Sequence, residues 1–277
     1  MADLFILTGP SCVGKSPLLK ALRQFHPRAV SGFDSVVLYN DRSPRPGEVD
    51  GVDYHFRRRA EIEAMRGDDR YRVMEVRGDL QAVDLEELAA GLENGNLFFE
   101  GNPMVGQLLL ECPLPPGAER RSVFISPLSM EEILDLQRPE LHVDLQALVA
   151  DVMRRKLLRR MQRQKAHLAQ PDLEEVERRC KSAWGELGEA WRFDCVVPNH
   201  DGEDSDHWDA FGYPIGDART TMRAVANLLE GHRPAQAEAW PEDLPRPPGS
   251  RSVRAARRRG LRAFSSCDSI PMPRNST

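Results

Sequence analysis

The chain has 277 residues, 40% hydrophobic, 29% charged and 6% aromatic, a composition that excludes collagen, coiled-coil and disordered proteins and fits one or two domains. No stretch approaches the roughly 20 apolar residues of a membrane-spanning helix, and Met1-Ala2-Asp3 opens no basic and apolar leader, so the sequence predicts a cytoplasmic protein without a membrane partner. The net charge of −5 is uneven: residues 231–277 carry nine arginines against four acids, a balance of +5, which leaves −10 for residues 1–230.

In chain order, a short apolar run at 4–7 predicts a buried strand, and residues 15–24 directly after the intervening loop predict a helix. Further buried strands are predicted at 97–99, 122–125 and 193–197, none with strict polar alternation. Ser129-Met130-Glu131-Glu132 reads as a capping box opening a helix over 130–136. The clearest helix is predicted from about 173 to 191, where Leu173, Val176, Cys180, Trp184, Leu187 and Trp191 share one face, and a last helix covers 218–229. Strands alternating with helices imply an α/β layer fold. Five cysteines, Cys12, Cys112, Cys180, Cys195 and Cys267, stand at unrelated spacings without a C-x-x-C pair, which points to free buried thiols.

Between the first strand and the first helix stands Gly9-Pro10-Ser11-Cys12-Val13-Gly14-Lys15-Ser16, which fits G-x-x-x-x-G-K-[ST] in its required strand–loop–helix setting. Such a loop wraps a phosphate in backbone N–H groups at a helix N-terminus. Lys15 adds a mobile positive charge, and the Ser16 hydroxyl is placed to ligate Mg²⁺. Pro17 removes one N–H from the first helical turn, which predicts weaker nucleotide binding without abolishing it. Downstream, Arg42 and Arg45 with Tyr54 nine residues on form a turn-rich segment whose two guanidinium forks and phenol can converge on one phosphate.

With these two motifs in this order, the chain resembles the guanylate kinases, which carry G-P-S-G-x-G-K-S and then R-x-P-R-x-G-E-x-x-G-x-D-Y-x-F. The resemblance resumes at Asp172 to Arg179 and ends at Phe193 to Asn199, covering about residues 3–200 with gaps. It implies a P-loop three-layer α/β fold with a five-stranded parallel central sheet, an inserted acceptor-binding subdomain at about 35–94 and a helical lid at about 137–171, all within a domain 1–230. It implies transfer of the ATP γ-phosphoryl to GMP or dGMP with Mg²⁺. By matching positions, the residues 9–16 hold ATP, Lys15 and Arg179 stabilise the transferring charge, and Arg42, Arg45 and Tyr54 seat the acceptor phosphate. Asn199 matches an asparagine near the adenine, although a turn-forming asparagine accounts for it equally well.

The chain departs from the family where the base is read. Leu38 stands at a serine position and, if Gly78 is the acceptor-site glycine, Arg72, Gln81 and Val83 replace a glutamate, a tyrosine and a serine. Glu75 is a replacement candidate for the base-reading carboxylate, or a surface pair beside Arg77. Glu100, where the family has an aspartate pair, suits base recognition, a water-mediated Mg²⁺ contact or a structural role. Changing the base readers redirects or relaxes specificity, so a kinase for another or modified nucleotide stands beside guanylate kinase. A binding module without turnover that holds a phosphorylated partner is the reading from another class.

Two further segments stand out. Arg154, Arg155, Lys156, Arg159, Arg160, Arg163 and Lys165 follow one another without an acid, either as a clamp for the triphosphate or as a solvated helix face with Leu157, Leu158 and Met161 turned inward. Residues 200–207 hold four acids and two histidines, a cation site or a flexible acidic loop. Residues 231–277, rich in proline and arginine, predict a disordered basic tail, either an arm for nucleic acid or an acidic partner or a segment without a specific partner.

Overall fold

A computed structural model of the chain describes residues 2–245 except Pro46, Ala166 and Asp243. The predicted first strand is β1 (Asp3–Thr8), and its side chains alternate between two apolar clusters: Leu4 and Ile6 enter one, Phe5 and Leu7 the other. A strand that buries both faces needs a cover on each side, which is the physical basis of three layers. The chain continues through α1 (Lys15–Phe25), α2 (Pro27–Val30) and β2 (Phe33–Ser35). It then forms β3 (Leu38–Asn40), β4 (Tyr54–Phe56), α3 (Arg59–Ala64), β5 (Tyr71–Val76), β6 (Asp79–Asp84) and α4 (Leu85–Asn94). The remaining elements are β7 (Asn96–Gly101), α5 (Pro103–Glu111), β8 (Glu119–Ser126), α6 (Met130–Leu136), α7 (Leu145–Gln164), α8 (Gln170–Leu187), β9 (Cys195–Pro198) and α9 (Gly216–Leu229).

The central sheet has the order β2-β7-β1-β8-β9 with every pairing parallel. Its centre is dominated by aromatic packing, with Phe5 stacked on Phe98 at 5.6 Å and Phe33 set edge-on to both. Each such ring removed from water contributes about 2 kcal/mol. The first cluster extends to α5, α7 and α8, the second to α1 and α9.

Residues 38–94 build a second sheet, β4-β3-β6-β5, in which β3 pairs parallel with β4 and antiparallel with β6. One of its faces closes over Ile62 of α3 with Leu80 and Ala82. The other sends Leu38, Val76 and Val83 into the main apolar cluster. The predicted capping box forms, Ser129 Oγ accepting from the Glu132 N–H at 3.1 Å while the Glu132 carboxylate accepts from the Ser129 N–H at 2.7 Å.

Two expectations are corrected here. Leu173 does not share the buried face of α8: it is 45% exposed, whereas Val176, Cys180 and Leu187 are buried. The chain also does not leave the body at 231. Glu238 and Val196 exchange backbone hydrogen bonds of 2.8 and 2.9 Å, the Glu238 carboxylate accepts from the Met130 N–H and the Trp240 indole, and Trp240 and Leu244 are buried. Two large apolar side chains in the first 14 residues of that segment outweigh its prolines. The part of the expected tail at 246–277, Cys267 included, lies outside the described residues; the other four cysteines are free and buried as expected. Among the described residues no helix is long and apolar enough to cross a membrane.

Candidate functional site

The loop over residues 9–16 leaves β1 at its C-terminal end and delivers the chain to α1. Gly14 has φ +98° and a Cβ there would lie 2.5 Å from the Asp201 carbonyl oxygen and 3.0 Å from the Trp208 ring, so both conformation and space require glycine. Cys12 adopts φ +65°, a left-handed conformation costly for a side chain of this kind, and stands where the family motif has glycine. Burial, reinforced by Glu203, pushes its thiol up to about 12, so Cys12 stays protonated and is no nucleophile. The Lys15 ammonium is buried and donates to the Gly9 and Pro10 carbonyls at 2.9 Å each. Ser16 is exposed at the mouth, and Pro17 is tolerated as the third helical residue, the first helical bond running from the Leu18 N–H to the Gly14 carbonyl.

Asn199 is not among the residues that line the cleft described below. It is fully buried beneath the loop, its Nδ2 donating to the carbonyls of Val13 at 2.7 Å and Asp201 at 2.6 Å and its Oδ1 accepting from the Asp201 N–H. With its amide committed to backbone, Asn199 props the phosphate loop on the end of β9. The turn-former account of this residue is therefore nearer to the geometry than the adenine contact.

Opposite the loop, the segment between β3 and β4 presents the two arginines. The Arg42 guanidinium forms a fork with the Glu48 carboxylate, both N–O distances 2.7 Å, and lies over the Tyr54 and Phe56 rings. Arg45 has no side-chain hydrogen bond or ion pair among the described residues. Burial, and then the neighbouring charges of Arg42, Arg179 and Arg160, push its guanidinium below the usual arginine range, which leaves it favouring an anion. Burial raises the Tyr54 phenol, so it remains a donor at neutral pH. Arg179 projects from α8, its Nε held by Glu175 at 2.6 Å.

These groups share one cleft of about 610 Å³, lined by Gly9, Ser11, Cys12, Lys15, Ser16, Arg42, Arg45, Tyr54, Glu100 and Arg179 among others. Glu100, at the end of β7, is raised above the ordinary carboxylate range by burial, a shift that Lys15 opposes and Glu203 reinforces. Pro10, Val13 and Gly14 shape the loop without lining the cleft. Glu75 falls outside it: β5 alternates, so Val76 faces the cleft and Glu75 faces solvent, where it pairs with Arg59 at 3.5 Å rather than with Arg77.

Sequence reading misses Asn40 and Asp79 and gives Gln81 only as the replacement of a base-reading tyrosine; all three line the cleft. Gln81 and Asp79 are two apart on β6, and Asn40 on β3 is in register with Gln81, so all three occupy one sheet face. Asn40 is fully buried and its Nδ2 has no partner; Asp79 is raised by burial and by Asp41. The alternation Asp79-x-Gln81 was the available signal. Leu38 and Val83, at positions where the family reads the base, are buried in the apolar cluster instead.

The two unusual insertions turn out to be partners. Arg159 meets Asp204 at 3.6 Å, Arg160 meets Glu203 at 2.5 Å, Arg163 meets Asp206 at 2.9 Å, and Lys156 donates to the His200 carbonyl at 2.6 Å. The basic face of α7 is therefore ion-paired although much of it stays in solvent, residues 200–207 are tied to it, and no group of three or more His, Cys, Asp or Glu side chains that could hold a metal ion is found among the described residues. His200 bridges Asp217 and Glu132, and this pairing outweighs burial and raises its pKa. Leu157 is buried as expected.

The guanylate kinase family model matches residues 1–76 of the chain. Curated relatives include the guanylate kinase of Nocardia farcinica (strain IFM 10152), 36% identical over 138 residues, 47% of this chain and 66% of that protein. The guanylate kinase of Gluconobacter oxydans (strain 621H) is 30% identical over 197 residues, 71% of this chain and 78% of that protein. The chain spans just under two thirds of the Nocardia protein and 62% of a guanylate kinase from Trichormus variabilis (strain ATCC 29413 / PCC 7937). A crystal structure of guanylate kinase from Anaplasma phagocytophilum aligns at TM-score 0.47 and 17% identity, covering 85% of this chain and 89% of that one.

Proposed function

The chain belongs to the guanylate kinase family, and on that premise we propose that it is an ATP-dependent nucleoside monophosphate kinase with GMP or dGMP as its leading acceptors. The observation that carries this reading is the unpaired Arg45 guanidinium, facing Lys15 and Ser16 across one cleft with Arg42, Tyr54 and Arg179. A guanidinium without an ion pair among the described residues favours a phosphate dianion, and the loop at 9–16 supplies the backbone cradle for a second phosphate group.

In this reading Arg42, oriented by Glu48, and Arg45 grip the acceptor phosphate while the Tyr54 hydroxyl donates to it. An acceptor oxygen attacks the γ-phosphorus in line, and the leaving oxygen stays with ADP. The attacking phosphate is already anionic, so no general base is needed, and catalysis rests on position and charge neutralisation by Lys15 and Arg179. The Ser16 hydroxyl and the Glu100 carboxylate are oxygen donors flanking the loop, a set that suits Mg²⁺. No group of three or more ligating side chains is present among the described residues, so the metal would arrive with the nucleotide. Bound there, Mg²⁺ would neutralise charge on the β- and γ-phosphates.

A second reading, a kinase for another or modified nucleotide, is favoured by Leu38 and Val83: apolar side chains cannot satisfy the N–H edge of guanine. The deciding experiment follows ADP release from ATP and Mg²⁺ with each common ribo- and deoxyribonucleoside monophosphate. Turnover of GMP or dGMP is expected, and Lys15→Ala is expected to lower it by roughly 100-fold or more. Selective turnover of a different monophosphate moves the assignment to the second reading. Turnover of none, with ATP still bound, replaces the kinase by a module that holds a phosphorylated partner.

A further inference from the structure

The β5–β6 hairpin turns through Arg77 at φ +57° and Gly78 at φ +98°, the pair of left-handed residues that a two-residue hairpin turn demands. Asparagine or aspartate followed by glycine is the comfortable occupant; an arginine at the first position is strained. Strain of this kind persists where the side chain is needed elsewhere.

The Arg77 side chain reaches two other parts of the molecule, the loop at 9–16 and α8. Its Nη1 donates to the Ser11 hydroxyl of the phosphate loop at 2.7 Å. Its Nε donates to Ser182 of α8 at 3.2 Å and to the Glu186 carboxylate at 3.1 Å, and its Nη2 also meets Glu186. Glu186 is itself buried, a charge on the inner face of α8, with Asn102 at the end of β7 donating to the same oxygen at 3.3 Å and the other oxygen without a hydrogen-bond partner. A second arginine, Arg178 of α8, donates to the Arg77 carbonyl at 3.2 Å. Arg77 lines the same cleft as Lys15 and Arg45.

We propose that Arg77 is a positioning residue for phosphoryl transfer: acting through Ser11 and Glu186, it fixes the acceptor sheet against the phosphate loop and α8, and so sets the distance between the two reacting phosphates. The inference rests on the kinase reading above. A buried carboxylate contributes nothing to the packing of α8 unless its counter-ion is present, and that counter-ion comes from a hairpin 109 residues away in sequence. The three elements that Arg77 joins are the three that must converge for transfer: the donor cradle, the acceptor sheet and the helix that carries Arg179. Misplacement by about 1 Å is enough to slow such a reaction on the order of 100-fold.

The test exploits the turn. Asparagine is at ease at φ +57°, so Arg77→Asn retains the hairpin and removes only the guanidinium, and pairing it with Glu186→Gln removes the stranded charge. The double variant is expected to keep the wild-type melting temperature, to lower kcat by about 50-fold and to hold KM for ATP and acceptor within about threefold. Arg77→Lys, which reaches without a fork, is expected to recover part of the loss. Retention of full kcat by the double variant would show that Arg77 serves the turn alone and overturn the proposal, as would a loss that tracks KM rather than kcat. Should the wild-type protein phosphorylate no monophosphate, the kinase reading fails and the clasp is judged by hydrogen exchange. Faster exchange in both residues 76–79 and residues 9–14 of the double variant supports it, and unchanged exchange in the loop overturns it.

Discussion

Arginines crowd both sides of the cleft, and Arg45 differs from Arg42, Arg179, Arg159, Arg160 and Arg163 in having no ion pair among the described residues. On the side of α7, Arg159, Arg160 and Arg163 meet Asp204, Glu203 and Asp206, and Arg154 meets Glu177. On the side of β3 and β4, Arg45 has no ion pair among the described residues, and Arg42 and Arg179, held by Glu48 and Glu175, add their charge to its field while Glu48 offsets part of it. The lesson is that the number of basic residues identifies neither site; what separates an anion site from a structural ion-pair network is whether the protein already supplies the counter-charge.

The largest expected effect that would test this contrast is at Arg45. Arg45→Ala should lower kcat/KM for the acceptor by about 100-fold, the value of one forked charge-assisted contact, while the melting temperature holds or rises because like charges are relieved. Steady-state kinetics and calorimetry on the same preparation read both, and a stability loss with intact kinetics would erase the distinction between the two sides. Arg160→Ala should behave in the opposite way. Its partner Glu203 has a side chain only 8% exposed, so the stranded carboxylate should cost about 2 kcal/mol, on the order of 5 °C in melting temperature, with activity changing less than about fivefold.

Smaller still is the contribution of His200. Its pairing with Asp217 and Glu132 raises its pKa in the folded protein, so the stabilisation is complete below the unfolded value near 6.5 and fades as pH rises through the folded value. Because the ring is nearly half exposed, the difference in melting temperature between wild type and His200→Gln should be only about 1 °C at pH 6 and vanish by about pH 9. Arg163→Ala comes last. Arg163 and Asp206 are both solvent-exposed, and removing the pair should change stability by less than about 0.5 kcal/mol in chemical unfolding.

The phosphate loop and its flanking strand and helix were legible because every requirement on them is local: an apolar run, two glycines, a lysine at fixed spacing. Helix α6 was legible for the same reason, its cap being complete within four residues. The arginine motif was read as a unit and the structure gathers Arg42, Arg45 and Tyr54 in one cleft. What failed to read was whatever depends on residues far apart. The placing of Glu75 outside the cleft follows from the phase of β5, which a stretch without clean alternation does not reveal. Asn40 and Gln81 become neighbours only through strand register. The basic and acidic insertions each looked like an anomaly because their explanation lay some 43 residues away, in the other. Asn199 carried the signature of a turn and of a ligand contact at once, and only its burial under Val13 separates them.

The return of the chain after α9 has a practical consequence. In the order β2-β7-β1-β8-β9, strand β9 stands at the sheet margin, and the exchange of hydrogen bonds between Val196 and Glu238 occupies backbone groups that a margin strand otherwise presents to any passing chain. Trp240 and Leu244, seated on the same side of the molecule as α6, add an apolar seal. A recombinant version trimmed after α9 would open that margin and bare the surface beneath both side chains, and it would self-associate through sheet-to-sheet pairing while its cleft stayed intact. The cover of this sheet margin thus comes from residues within 231–245, a stretch whose composition reads as dispensable.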